Sequence, residues 1–167
     1  MSRFFLEVAY DGGSFGGFQI QANQNTIQGE VEKALNTLFR IPFELTGASR
    51  TDAGVHGLQN FFHFDTPLAI EAKHIYNLNA ILPKSIVAKA IYEVPSNAHA
   101  RFDAIKRAYV YKIHTQKNPF LEGFSWFYPY AVNWDAMMEA TQTLMTYTNF
   151  ETFSKKNTQV NNFECHI

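Results

Sequence analysis

Residues 43–65 read FELTGASRTDAGVHGLQNFFHFD, and their division into two apolar runs around a polar, glycine-bearing loop decides the fold. Residues 43–48 and 58–65 both carry the apolar and aromatic content of strands, and Pro67 closes the second. Upstream, residues 3–10 alternate, with Phe4, Leu6, Val8 and Tyr10 on one face, which predicts a strand running into the glycine-rich loop at 12–17. Asn25 or Thr26 can cap a helix whose apolar positions Ile27, Val31, Leu35 and Leu38 recur at helical spacing, and which stops before Pro42. Downstream, the pattern predicts a weaker helix around 71–80 and a strand over 86–94. The order strand, helix, strand, strand, helix, strand predicts an α+β, ferredoxin-like split βαβ arrangement: an antiparallel sheet with helices on one face. The other face is left open, and in several RNA-binding modules such a face carries aromatics that stack on bases.

The expected division is an N-terminal α/β domain at residues 1–105, carrying the polar loop, and the beginning of a second similar α/β half at 106–167. In the latter, residues 107–115 read as a strand, and Asn133 caps an amphipathic helix through Trp134, Met137, Met138, Leu144 and Met145. A last apolar strand begins at 160, and a chain that stops inside such a strand is expected to be cut short.

Composition narrows the classes. The 167 residues are 46% hydrophobic and 17% charged, globular in type, and long enough for one compact domain plus the start of another. Aromatics reach 16%, more than a small core needs. Cys165 is the sole cysteine, which rules out an internal disulfide or cysteine-based zinc site, and no apolar run approaches the roughly 20 residues of a membrane span. A soluble cytoplasmic protein is expected. The net charge of -1 argues against general coating of nucleic acid, yet residues 101–117 hold Arg101, Lys106, Arg107, Lys112 and Lys117 against Asp103 alone. That cluster is either a solvated face or a phosphate-facing one.

The polar loop holds the residues with chemical potential. Arg50 lies two positions before Asp52, where a guanidinium would keep a carboxylate ionised as a nucleophile or anion stabiliser. Gly54 permits a sharp turn, and on these residues alone Asp52 suits a turn as well as a catalyst. The loop at 12–17 lacks the lysine of a phosphate-binding loop. His63, His74, His114 and His166 show no ligand spacing, and with no cysteine cluster a metal is not expected. A retaining glycosidase would need a second carboxylate about 5 to 5.5 Å from Asp52, for which Asp11 and Asp65 are the nearby candidates in sheet order.

Five ordered blocks carry a resemblance: Tyr10-Asp11-Gly12 with Phe15, Gly17 and Gln19; Gly47 through Gly57; Asn77-Leu78-Asn79-Ala80-Ile81-Leu82-Pro83; His99-Ala100-Arg101-Phe102-Asp103-Ala104 with Arg107, Tyr109 and Tyr111; and Asn149-Phe150 with Phe153. Together they resemble the N-terminal portion of the tRNA pseudouridine synthase A family. Phe18 stands where many relatives carry tryptophan, and Ser49 where glycine is common. The resemblance implies an isomerase that converts uridine to pseudouridine in the anticodon stem-loop of tRNA, without a cofactor and as a homodimer when full length. It implies Asp52 as nucleophile, Arg50 pairing with it and displacing the flipped nucleotide, and Tyr109 stacking on uracil and serving as general base. Arg101, Lys106 and Arg107 become candidate phosphate contacts, and His56 an RNA contact or a hydrogen-bonded structural residue. The alternative is an inactive RNA-binding fragment that lacks the rest of the cleft.

Overall fold

The computed structural model describes residues 1–154 and 162–167, in two units, Met1–Val110 and Tyr111–Ile167. In the first unit, β1 (Ser2–Tyr10), α1 (Ile27–Phe39), β2 (Thr46–Gly47), β3 (Gly57–Thr66), α2 (Lys73–Ile81) and β4 (Ile86–Val94) follow one another along the chain. The sheet order is β2-β3-β1-β4 and every pairing in it is antiparallel, the split βαβ arrangement expected from the alternation of elements.

The pleat of β1 sends Phe4, Leu6, Val8 and Tyr10 into the core with Phe62 and Phe64 of β3 and Ile86 and Ala88 of β4. Helix α1 lays Ile27, Val31, Ala34 and Leu35 on this face, and α2 contributes Leu78. Thr26 caps α1 through the Gly29 amide. The Asn79 side chain bonds both the amide and the carbonyl of Ala88, 2.8 Å each, occupying backbone groups that the edge strand β4 would otherwise present to solvent. Among the described residues no helix is long and apolar enough to cross a membrane.

The opposite sheet face carries Phe5, Glu7, Phe61 and His63. Glu7 is buried there, bonded by Lys89 at 2.9 Å, Gln59 at 3.0 Å and Tyr92 at 3.3 Å. Its carboxyl is held below the usual carboxylate range, chiefly by Lys89 and against the opposing effect of burial.

Three expectations need correction. The strand at 43–48 contracts to Thr46–Gly47, because α1 takes the preceding amides: Phe43 N donates to Asn36 Oδ1 at 2.7 Å, and Leu45 N to Glu32 Oε1 at 3.0 Å. Phe43 and Leu45 stay buried without joining the ladder. The strand at 107–115 contracts to β5 (Ile113–His114), since none of residues 107–112 belongs to a strand. The strand expected from 160 falls partly outside the described residues, and beyond it Glu164 forms a single bridge to Asn149.

In the second unit, β5 pairs in parallel with β6 (Trp126–Phe127), and Asn133 caps α3 (Trp134–Leu144) through the Ala136 amide as the sequence predicts.

The α1 side chains that displace β2 make a checkable claim. Asn36 is exposed, and alanine there ordinarily favours a helix. Asn36→Ala is nevertheless expected to destabilise by about 1 kcal/mol or more, because the Phe43 amide loses its acceptor. Chemical denaturation measures this; an unchanged or raised midpoint would contradict the assignment.

Candidate active site

Residues 48–56 form the loop that leaves β2 and enters β3, and their backbone is held at several points. The Ala48 amide donates to Phe61 O at 2.7 Å, extending the ladder by one bond. Asn60 Nδ2 donates to Ser49 O at 2.9 Å, and Phe18 N donates to Thr51 O at 3.0 Å. The Tyr10 hydroxyl lies 3.0 Å from Thr51 Oγ1 and accepts from Asn60 Nδ2 at 3.3 Å. Tyr10 and Asn60 are themselves buried, so these are contacts from the core to the loop. Phe18 is fixed in turn by stacking on Phe62, with centroids 4.7 Å apart.

The loop after β1, residues 11–26, meets the 48–56 loop backbone to backbone. A Cβ on Gly12 would collide with the Val55 carbonyl, so no other residue allows this approach. Gly54 sits at φ 79°, in the left-handed region, and the Val55 amide closes the turn on Asp52 O at 3.3 Å. His56 joins the loops: its Nδ1 lies 2.9 Å from Asp11 Oδ1 and 3.3 Å from Gly12 N. Asp11 Oδ1 also accepts from Gly13 N at 2.9 Å.

Asp52 and Arg50 are both exposed, and among the described residues no ion pair joins them. Among the described residues the Asp52 carboxylate also accepts no hydrogen bond, so a firmly held backbone presents an exposed carboxylate. Of the other carboxylates, Asp11 is bonded to His56, and Asp65 takes the Arg3 guanidinium through two bonds of 2.8 and 2.7 Å. Asp65 lies eight residues along β3 from Gly57, about 26 Å away along an extended strand, which removes it as a partner for Asp52.

Residues 98–107 form a strap anchored on the open sheet face. Arg3 Nη1 donates to Ala98 O at 2.9 Å, and Ala100 N donates to His63 Nδ1 at 3.2 Å. The His63 ring packs edge-on against His99, centroids 4.5 Å apart. Arg101 lies over the Phe102 ring at 5.8 Å, and both it and Lys106 are exposed. Arg107 Nη2 donates to Ala48 O at 3.1 Å and Arg101 O at 3.0 Å. Tyr109 is 72% exposed and follows in an irregular segment.

The structure thus brings His56 and Arg107 to the Asp52 loop, leaves Arg50 apart from Asp52, and adds Tyr10, Thr51 and Asn60, which sequence reasoning did not single out as functional. Asn60 had a readable signal: an amide at a core-facing position of the alternation that places Phe62 and Phe64 inside.

The chain is similar along its whole length to curated proteins named tRNA pseudouridine synthase A. That of Parabacteroides distasonis is 41% identical over 169 residues, that of Porphyromonas gingivalis 41% over 170 and that of Bacteroides thetaiotaomicron 39% over 168. The chain spans 67%, 68% and 62% of their respective lengths. No family model matches it.

His63 gives this region a pH dependence. Burial, then the positive charges of His99 and Arg3, lower its pKa against the opposing pull of Asp65. The unfolded chain, titrating near 6.5, therefore binds more protons than the folded one, so this contribution to stability is full above about pH 6.5 and lost as pH falls from there through the lower folded value. Unfolding free energy is expected to drop between about pH 7.5 and pH 5.5, above the carboxylate range. His63→Asn, whose Oδ1 can accept the Ala100 amide without titrating, is expected to flatten that drop; denaturation at both pH values checks it, and an equal slope in the variant would refute it.

Proposed function

The chain belongs to the tRNA pseudouridine synthase A family, and on that premise we propose that it carries the reacting carboxylate of an enzyme that isomerises uridine in the anticodon stem-loop of tRNA. Uridine and pseudouridine contain the same atoms. The bond from C1′ to N1 breaks, uracil turns, C1′ bonds to C5, and the C5 hydrogen leaves as a proton while N1 regains one. The balance needs no oxidant, reductant or group donor, so no cofactor is invoked.

Asp52 is the nucleophile in this reading, and the observation that carries it is the contrast between the loop and its side chain: the backbone just before it is pinned to Phe18, Asn60 and Phe61 and its own carbonyl accepts from Val55 N, while the carboxylate is exposed and, among the described residues, unbonded. Arg50, free of Asp52, takes the place of the nucleotide that leaves its stack, and pairs with Asp52 once substrate is bound. Tyr109 stacks on the uracil and takes the C5 proton. Arg101 and Lys106 contact phosphates, which set register on the RNA rather than base choice. His56 supports the loop through Asp11 and touches RNA from its exposed side. Homodimeric assembly and a cytoplasmic location complete the proposal.

A second reading, RNA binding without turnover, draws on the exposure of both Asp52 and Tyr109. Release of tritium from C5-labelled uridine in a tRNA transcript separates the two. The proposal expects release from the chain and a loss of about a thousandfold or more in Asp52→Asn, with tRNA affinity retained. Full activity in Asp52→Asn would refute the nucleophile assignment, and salt-dependent tRNA binding without any release would establish the second reading.

A further inference from the structure

Most of the backbone handles before Asp52 are held from the sheet or from the loop after β1. Ala48 N is bonded to Phe61 O, Ser49 O to Asn60 and Thr51 O to Phe18 N. Ala48 O is different. It is the carbonyl of a buried residue just past the end of β2, and its donor comes from Arg107, 59 positions along the chain. The same Nη2 holds Arg101 O, within the turn that His99 and Asp103 close through the bond from Asp103 N to His99 O at 3.0 Å. One nitrogen therefore ties the Asp52 loop to the strap bearing Arg101 and Lys106.

We propose that Arg107 is a positioning residue, which fixes the approach to Asp52 by holding the Ala48 carbonyl against the strap, rather than a phosphate ligand. This rests on the reading of Asp52 as the reacting group. A planar guanidinium can present both Nη2 hydrogens to two carbonyls in a fixed plane, whereas a lysine ammonium keeps the charge and loses that geometry. The strap is itself seated on the sheet by Arg3 and His63, so Arg107 couples a basic surface to the loop through a rigid footing. A phosphate drawn to Arg101 or Lys106 then bears on the segment that orients Asp52.

Arg107→Lys in the chain tests this with tRNA transcript. The expected result is a fall in kcat of about tenfold or more, with Kd and the salt dependence of binding unchanged, and faster hydrogen exchange at the bonded loop amides of Phe18, Ala48 and Val55 while core peptides stay protected. Retained kcat with wild-type exchange would overturn the proposal. So would a charge-removing Arg107→Gln that lowers the salt slope by about one and leaves loop exchange unaltered, the signature of a phosphate contact. Should the unmodified chain show no turnover, the proposed function fails separately. The exchange measurement then still decides: loss of loop protection in Arg107→Lys supports the tether, and unchanged protection refutes it.

Discussion

The close passage of the Gly12 backbone against Val55 is the constraint on which the site depends. With the hydrogen bond from Phe18 N to Thr51 O, it locks the loop after β1 into the loop before β3. Neither loop has regular secondary structure, so each would leave backbone groups to water if it stood alone. Interlocked, they satisfy one another, and the Tyr10 hydroxyl and Asn60 amide add core contacts from below. Asp52 is exposed yet positioned, because the fixed points lie on the backbone around it rather than on its side chain.

Beside Phe5 and Phe61 the open sheet face carries charged groups, each satisfied by its pairings. Glu7, buried among Lys89, Gln59 and Tyr92, and the two-bond clamp of Arg3 on Asp65 put satisfied charges where an exposed apolar face would invite association. His63 uses the remaining area to seat the strap, and it can do so only while its Nδ1 is unprotonated and accepts the Ala100 amide. The local charge excess at 101–107 is thereby mounted on the sheet, which reconciles a chain of net charge -1 with a basic surface beside the loop.

Much of this was legible in the residues and some was not. The alternation of β1, the Thr26 cap and the 86–94 strand are local signals, and the structure keeps all three. The short β2 was hidden because its competitor is long-range: Asn36 and Glu32 on α1 claim amides that an apolar run would otherwise spend in a ladder. Residues 107–112 have strand composition, but among the described residues none of them lies in a strand and only Lys112 O reaches β6, accepting from Trp126 N at 2.8 Å. In the site, the proximity of Arg50 to Asp52 in sequence implied a pair that the exposed loop does not make, whereas Tyr10 and Asn60, 50 positions apart, meet only through the register of β1 on β3.

The role of Asp52 is tested most directly by a structure of the chain bound to an anticodon stem-loop carrying uridine. A nucleophilic Asp52 requires a uridine out of its stack with C1′ or the uracil ring within about 3.5 Å of its carboxylate, and the loop backbone at 48–56 unmoved. A stem-loop bound with its uridines far from Asp52, or a loop that rearranges to engage it, would contradict the claim that the interlocked backbone presents a ready carboxylate.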